Sequence, residues 1–254
     1  MVDHTHALSF GAAASDYDRF RPTYPEEAIR WALDGLSDAG RAEPGDGGQV
    51  VDLGAGTGIL TRAVQALGFH VVPVEPDQGM RTQLAVSTPG TTALAGSAEA
   101  VPLPDGVADA VLVGTAYHWF DREPAHAEIA RVLRPGGIFA PIWNIRDDSV
   151  EWVAELGRIA HLDDKSADLV QKNTDFGPGF TAVEAREFGH LTVLTPGEVL
   201  GMIRTRSYWL TASTDDQRRV ERELADLLDT HPALAGRETV ELPYRTLVLR
   251  ARRL

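Results

Sequence analysis

From residue 49 onward the apolar positions alternate between two rhythms. Gln49-Val50-Val51-Asp52-Leu53 is a short apolar run ending in glycines, the pattern of a buried strand, and residues 59–67 space their apolar side chains at helical intervals. The alternation continues with a predicted strand over 71–75, a helix over 78–86 and a strand over 92–95. Residues 107–114 are strongly apolar and β-branched apart from Asp109, and a helix over 123–133 follows. A Pro135-Gly136-Gly137 turn leads into a strand over 138–143. Strands separated by helices need crossover connections, which build a parallel sheet covered on both faces. The fold class is therefore α/β, a doubly wound, Rossmann-like sheet.

Beyond Arg146 the rhythm changes. Residues 150–162 and 217–228 read as helices, and Pro196-Gly197-Glu198 opens another that runs through Met202 to Tyr208. Residues 182–194 and 239–251 read as long strands that complete the sheet as an antiparallel pair. The stretch around Asn173, Gly177, Pro178 and Gly179 is loop-like and borders a substrate pocket in this reading. The first 44 residues precede the core and hold a helix after Pro25, because proline suits the first helical turn. The Gly- and Pro-rich residues 40–48 are too few for a domain linker, so residues 1–254 are read as one domain.

Composition narrows the function. The chain is 43% hydrophobic and 24% charged, with a formal net charge of −13, so a phosphate backbone or an anionic membrane is repelled overall. No apolar run approaches the roughly 18 residues of a spanning helix, and the N-terminal residues lack a signal-peptide pattern. These features predict a cytoplasmic protein without a nucleic-acid or membrane partner. The absence of cysteine excludes disulfides, thiolate metal sites and a cysteine nucleophile. Among the histidines only His4 and His6 stand at a suggestive spacing, and no metal is assigned.

The most informative segment is Val51-Asp52-Leu53-Gly54-Ala55-Gly56-Thr57-Gly58. A strand runs into a glycine turn that opens a helix, where the backbone can approach a ligand and free N–H groups are available. Glu75 ends the next strand, where a carboxylate can accept hydrogen bonds from both hydroxyls of a ribose. The glycines do not follow the dinucleotide G-x-G-x-x-G pattern, since Ile59 fills its sixth position, and no phosphate loop with its lysine is present. An acidic residue before the turn disfavours a pyrophosphate and suits an amino group. A nucleoside carrying an amino acid fits both features.

At this point the chain resembles the class I S-adenosylmethionine-dependent methyltransferases. The resemblance spans about residues 49–144 and rests on several segments. These are the glycine turn, Val74-Glu75-Pro76, the run from Gly96-Ser97-Ala98-Glu99 to Pro104, Ala116-Tyr117-His118-Trp119-Phe120 and Leu133-Arg134-Pro135-Gly136-Gly137. It implies a seven-stranded sheet with a reversed last strand, with S-adenosyl-L-methionine as cofactor. It places Asp52 and the loop residues Gly54, Ala55, Gly56 and Gly58 around the methionine end. Glu75 goes to the ribose, Pro76 to the adenine pocket, Ser97 with Ala98 and Glu99 to the adenine edge, and Thr115 with Ala116 beside the sulfonium. Many relatives carry Asp where this chain has Ser97.

The opening from Phe10 to Pro25 is similar to a subgroup that methylates small acids and other metabolites, where it caps the cofactor. This makes 1–44 the cap, 49–145 the cofactor-binding core and 146–254 the insertion helices and closing strands. Tyr17 and Arg21 become cap contacts, with Arg21 on a carboxylate of either cofactor or substrate, or with Tyr17, Arg21 and Tyr24 merely pinning the cap to the core. His118 is the candidate general base, or else a residue that fixes its loop. Tyr24, Trp119, Trp143 and Arg146 complete the candidate substrate surface, although Arg146 has Asp147 and Asp148 as alternative partners. The leading expectation is methyl transfer to a small molecule, at a carboxylate or hydroxyl oxygen. A protein or other macromolecular acceptor is the alternative, and a NAD-dependent oxidoreductase a remote one. Oligomeric state is not legible.

Overall fold

The structure is a computed structural model, and it describes residues 14–36, 48–161 and 175–254. The loop expected at 40–48 lies outside these except for Gly48, as do Phe10 to Ala13 of the cap, the His4–His6 pair and Asn173. The strands are β1 (Gln49–Leu53), β2 (His70–Val74), β3 (Ala108–Gly114), β4 (Leu133–Arg146), β5 (Glu184–Leu194) and β6 (Val240–Arg252). They form one sheet in the order β2-β1-β3-β4-β6-β5. Strands β1 to β4 run parallel, and β6 enters antiparallel between β4 and β5.

Helices α1 (Ala14–Phe20) and α2 (Glu26–Leu33) precede the sheet. Helix α3 (Ile59–Gln65) joins β1 to β2, α4 (Gln78–Ser87) follows β2, and α5 (Arg122–Val132) joins β3 to β4. Helices α6 (Glu151–Ile159), α7 (Pro196–Arg204), α8 (Ser207–Thr211) and α9 (Thr214–Thr230) belong to the second half. The helix expected from Pro196 through Tyr208 is thus broken at Thr205-Arg206. The sheet is apolar on both faces: Val51, Val111, Phe139 and Leu247 pack on one side, and Val50, Leu112, Ile138 and Val248 on the other. This two-sided burial is why β1 and β3 read as continuous apolar runs.

Two expectations need correction. Residues 92–95 do not form a seventh strand, because only Leu94 bridges to Val74. Leu94 N–H donates to the Pro73 carbonyl at 2.9 Å, and Glu75 N–H donates to the Leu94 carbonyl at 3.0 Å. The next rung would need an N–H from Pro73, which proline lacks, so the ladder stops after one residue. The segment Arg134-Pro135-Gly136-Gly137 is not a turn before β4 but a bulge within it. Ala108 pairs with Leu133 and Ala110 with Ile138, so these four residues loop out of register.

The cap is held by specific contacts. Asp18 of α1 accepts from Arg62 of α3 at 2.7 Å, and Asn144 Nδ2 of β4 donates to the Thr23 carbonyl at 2.9 Å. Helix α1 also packs on α4 and α7. At the contact with α7, a Cβ on Gly201 would lie 2.7 Å from the Phe20 ring. Replacing a helical glycine by alanine gains up to about 1 kcal/mol of helix propensity. Overpacking of this kind costs typically about 1–3 kcal/mol, so the clash wins. G201A is therefore expected to lower the melting temperature and hasten proteolytic cutting in α1. An unchanged melting temperature and cleavage pattern would show that α1 does not seat on α7.

Candidate functional site

The C-terminal ends of β1, β2 and β3 meet beneath the cap around a cavity of about 290 Å³. Of the residues expected there, Tyr17, Arg21, Gly54, Gly56, Glu75 and Pro76 line it. So do Ser97, Ala98, Glu99, Thr115, Ala116, His118 and Trp119. The topology explains the convergence. Parallel strands bring their C-terminal ends to the same edge of the sheet, and the crevice opens where the chain order reverses beside β1.

Glu75 joins two of these ends. One carboxylate oxygen accepts the Gly56 N–H at 2.9 Å and the other accepts the Asp77 N–H at 2.8 Å. Burial raises its pKa, the two backbone hydrogen bonds oppose that, and nearby Asp77 adds to the rise. A carboxylate has about four acceptor positions, so two are used and each oxygen can take one donor more. Gly54 has φ +73° and lies so close to the β3 exit that a Cβ would sit 2.7 Å from the Ala116 Cβ. Beside Gly56, also at positive φ, no atom of the described residues other than its chain neighbours lies within 4 Å of a Cβ position, leaving the backbone open to approach.

Asp52 of β1 is fully buried. Thr61 Oγ1 donates to its Oδ2 at 2.6 Å, while Oδ1 is buried without a hydrogen-bond partner among the described residues. Burial pushes its pKa up to about 7, against the Thr61 hydrogen bond and helped by the Glu75 charge. Thr115 takes the left-handed conformation at φ 59°, which costs a β-branched residue about 1–3 kcal/mol. Its hydroxyl meets the Tyr24 hydroxyl at 3.1 Å, and its N–H donates to the Ile142 carbonyl at 2.8 Å.

Six expected residues do not line the cavity. Asp52 and Ala55 are buried. Gly58 caps α3, where a Cβ would press on Leu84 and Thr88 at 3.0 Å. Tyr24 is buried against Thr115 and Gly114, with burial pushing its phenol pKa up, so it supports the β3 exit from behind. Trp143 packs edge-on against Tyr117 in the core, among Phe139 and Phe176. Arg146 ends β4 opposite Tyr244. The geometry thus puts Tyr24 and Trp143 in supporting positions and not on the cavity surface.

The structure adds Met80, Gly96, Gly114, Phe120 and Arg206 to the lining. Arg206 has the most chemical consequence. It occupies the break between α7 and α8, far from the glycine turn in sequence, where no local pattern announces it. Among the described residues no group of histidines and carboxylates is arranged to hold a metal.

Comparison with known proteins decides the family. A methyltransferase-domain model matches residues 51–140. An uncharacterized methyltransferase of Mycobacterium tuberculosis is 41% identical over 96% of this chain and 96% of its own. The chain belongs to the class I S-adenosylmethionine-dependent methyltransferases. A solved structure from Anaeromyxobacter dehalogenans that carries a methyltransferase name is 27% identical, covers 92% of this chain and 98% of its own, and superposes with a TM-score of 0.65. The malonyl-[acyl-carrier protein] O-methyltransferase of Serratia marcescens is 32% identical over 52% of this chain and 49% of its own.

The residues present fit the methyltransferase cofactor. Glu75 keeps an acceptor position on each oxygen, the Gly56 backbone is open, and Asp52 of β1 keeps an orphaned oxygen. The raised Asp52 pKa also has a consequence for stability. With its folded pKa about 7 and its ordinary value 3.8, the folded methyltransferase holds a proton between these pH values that the unfolded chain releases. Stability therefore falls as pH rises from about 4 to 7 on account of this group. D52N removes that loss, so the mutant's melting temperature without ligand is expected to gain on wild type between pH 5 and pH 8. One kcal/mol corresponds to roughly 2–4 °C for a chain of this size. An equal difference between the two proteins at pH 5 and pH 8 would contradict the assignment.

Proposed function

We propose that this methyltransferase acts on a small-molecule acceptor at oxygen, a carboxylate or a hydroxyl. The observation that carries the reading is the cavity itself. We place His118, Trp119, Phe120 and Arg206 on its acceptor side and Tyr17 and Arg21 at its cofactor end, under a cap tied to the core. A pocket lined by aromatic and cationic side chains suits a small molecule that sheds water on binding. The O-methyltransferase name of the Serratia relative supports oxygen as the acceptor atom.

In this reading Glu75 accepts the ribose hydroxyls, Pro76 lines the adenine, and Ser97, Ala98 and Glu99 meet its edge. Asp52 and the turn residues Gly54, Ala55, Gly56 and Gly58 surround the methionine end, and Thr115 with Ala116 borders the sulfonium. When bound, the cofactor supplies an electrophilic methyl carbon for in-line displacement by the acceptor oxygen. The chain's own contribution is alignment and the exclusion of water. Trp119, its ring 4.7 Å from that of His118, forms the wall. The exposed His118 imidazole takes the proton of a hydroxyl acceptor, whereas a carboxylate brings none at neutral pH.

The test uses the purified protein, methyl-labelled S-adenosylmethionine and an extract of the source cells, with label counted separately in small molecules and macromolecules. Label is expected in the small-molecule fraction, in a form that mild base releases if the product is a methyl ester. Label confined to protein or nucleic acid would overturn the reading.

A further inference from the structure

Two arginines line the cavity, Arg21 from the cap and Arg206 from the second half of the chain. Arg21 Nη2 donates to the Thr205 carbonyl at 3.3 Å, which sets it next to the backbone that carries Arg206. Both Nε atoms, of Arg21 and of Arg206, are buried with no hydrogen-bond partner among the described residues. The cavity carboxylates are engaged elsewhere, Glu75 with the Gly56 and Asp77 amides and Glu99 with the Asp121 amide at 3.0 Å. Among the described residues neither forms a salt bridge with Arg21 or Arg206.

A buried positive charge without a counter-charge is costly, and a guanidinium does not relieve the cost by losing its proton. Burial, then the Arg21 and Arg146 charges, press the Arg206 pKa well below its ordinary value. The protein holds this arrangement in spite of the repulsion, and an incoming anion removes it. A planar carboxylate matches the fork of an arginine bidentately. The cofactor brings one carboxylate, and in this reading the cap residue Arg21 takes it. That leaves Arg206 for the acceptor.

We propose that Arg206 is the acceptor-recognition residue and that it selects a molecule bearing a carboxylate, held against Trp119 and Phe120. This rests on the small-molecule reading above and specifies its substrate class.

The probes are benzoate, benzamide and phenyl phosphate, titrated calorimetrically into wild type, R206K and R206Q saturated with S-adenosylhomocysteine. Wild type is expected to bind benzoate at least about tenfold more tightly than benzamide, a difference of about 1.4 kcal/mol. R206Q is expected to lose that preference and R206K to retain part of it, while the affinity of both for S-adenosylhomocysteine stays within about twofold of wild type. Three results would overturn the proposal: no preference for benzoate in wild type, a preference unchanged in R206Q, or phenyl phosphate bound in preference to benzoate. A loss of S-adenosylhomocysteine binding in R206Q that matches the loss in R21Q would also overturn it, because Arg206 would then serve the cofactor. Failure of the small-molecule reading shows separately, as label on macromolecules with the benzoate preference intact.

Discussion

A buried carboxylate at the end of β2 holds the working end of this protein together. Glu75 accepts the amide of Gly56 from the β1–α3 turn and the amide of Asp77 that starts α4. Asp77 in turn caps α4 by accepting the Met80 N–H at 2.8 Å. A charged acceptor on two backbone donors is worth more than neutral bonds, about 1.5–3 kcal/mol each, which offsets the cost of burying the group. The glycine turn, the β2 exit and the α4 start therefore share one position, and the cavity inherits its shape from it.

The second constraint is charge. Acidic groups lie at the turn, at Asp52 and Glu75, and positive groups lie at the cap and the α7–α8 break, at Arg21 and Arg206. The two sets do not pair with each other. Such a division would suit the proposed partners, a zwitterionic amino-acid end and an anionic acceptor. The cap sets the spacing between the two sets, and it is itself tied down through Asp18–Arg62 and the Asn144–Thr23 contact.

The core was legible because its signals are local. The β1 run, its glycines and Glu75 lie close together in sequence, and two-sided burial makes parallel strands read as apolar blocks. Two local signals misled. Residues 92–95 have strand character, yet the partner strand carries Pro73 where the ladder needs an N–H. The Pro135-Gly136-Gly137 run reads as a turn, yet β3 pairs with β4 on both sides of it. Trp143 and Tyr24 stood beside cavity-lining segments in sequence, but strand alternation turned Trp143 into the core. Arg206 had no signal at all. Its place depends on a helix breaking at Thr205, where the Thr205 hydroxyl bonds the Met202 carbonyl at 2.7 Å, and on the cap reaching across to it.

Glu75 builds the turn, and we propose that it also receives the cofactor's ribose. Calorimetric titration of S-adenosylhomocysteine into wild type and E75A tests it, with thermal melting to confirm that the variant is folded. The account predicts a loss of affinity on the order of 100-fold, from two hydrogen bonds to a charged acceptor. A folded E75A that binds S-adenosylhomocysteine as tightly as wild type would contradict it.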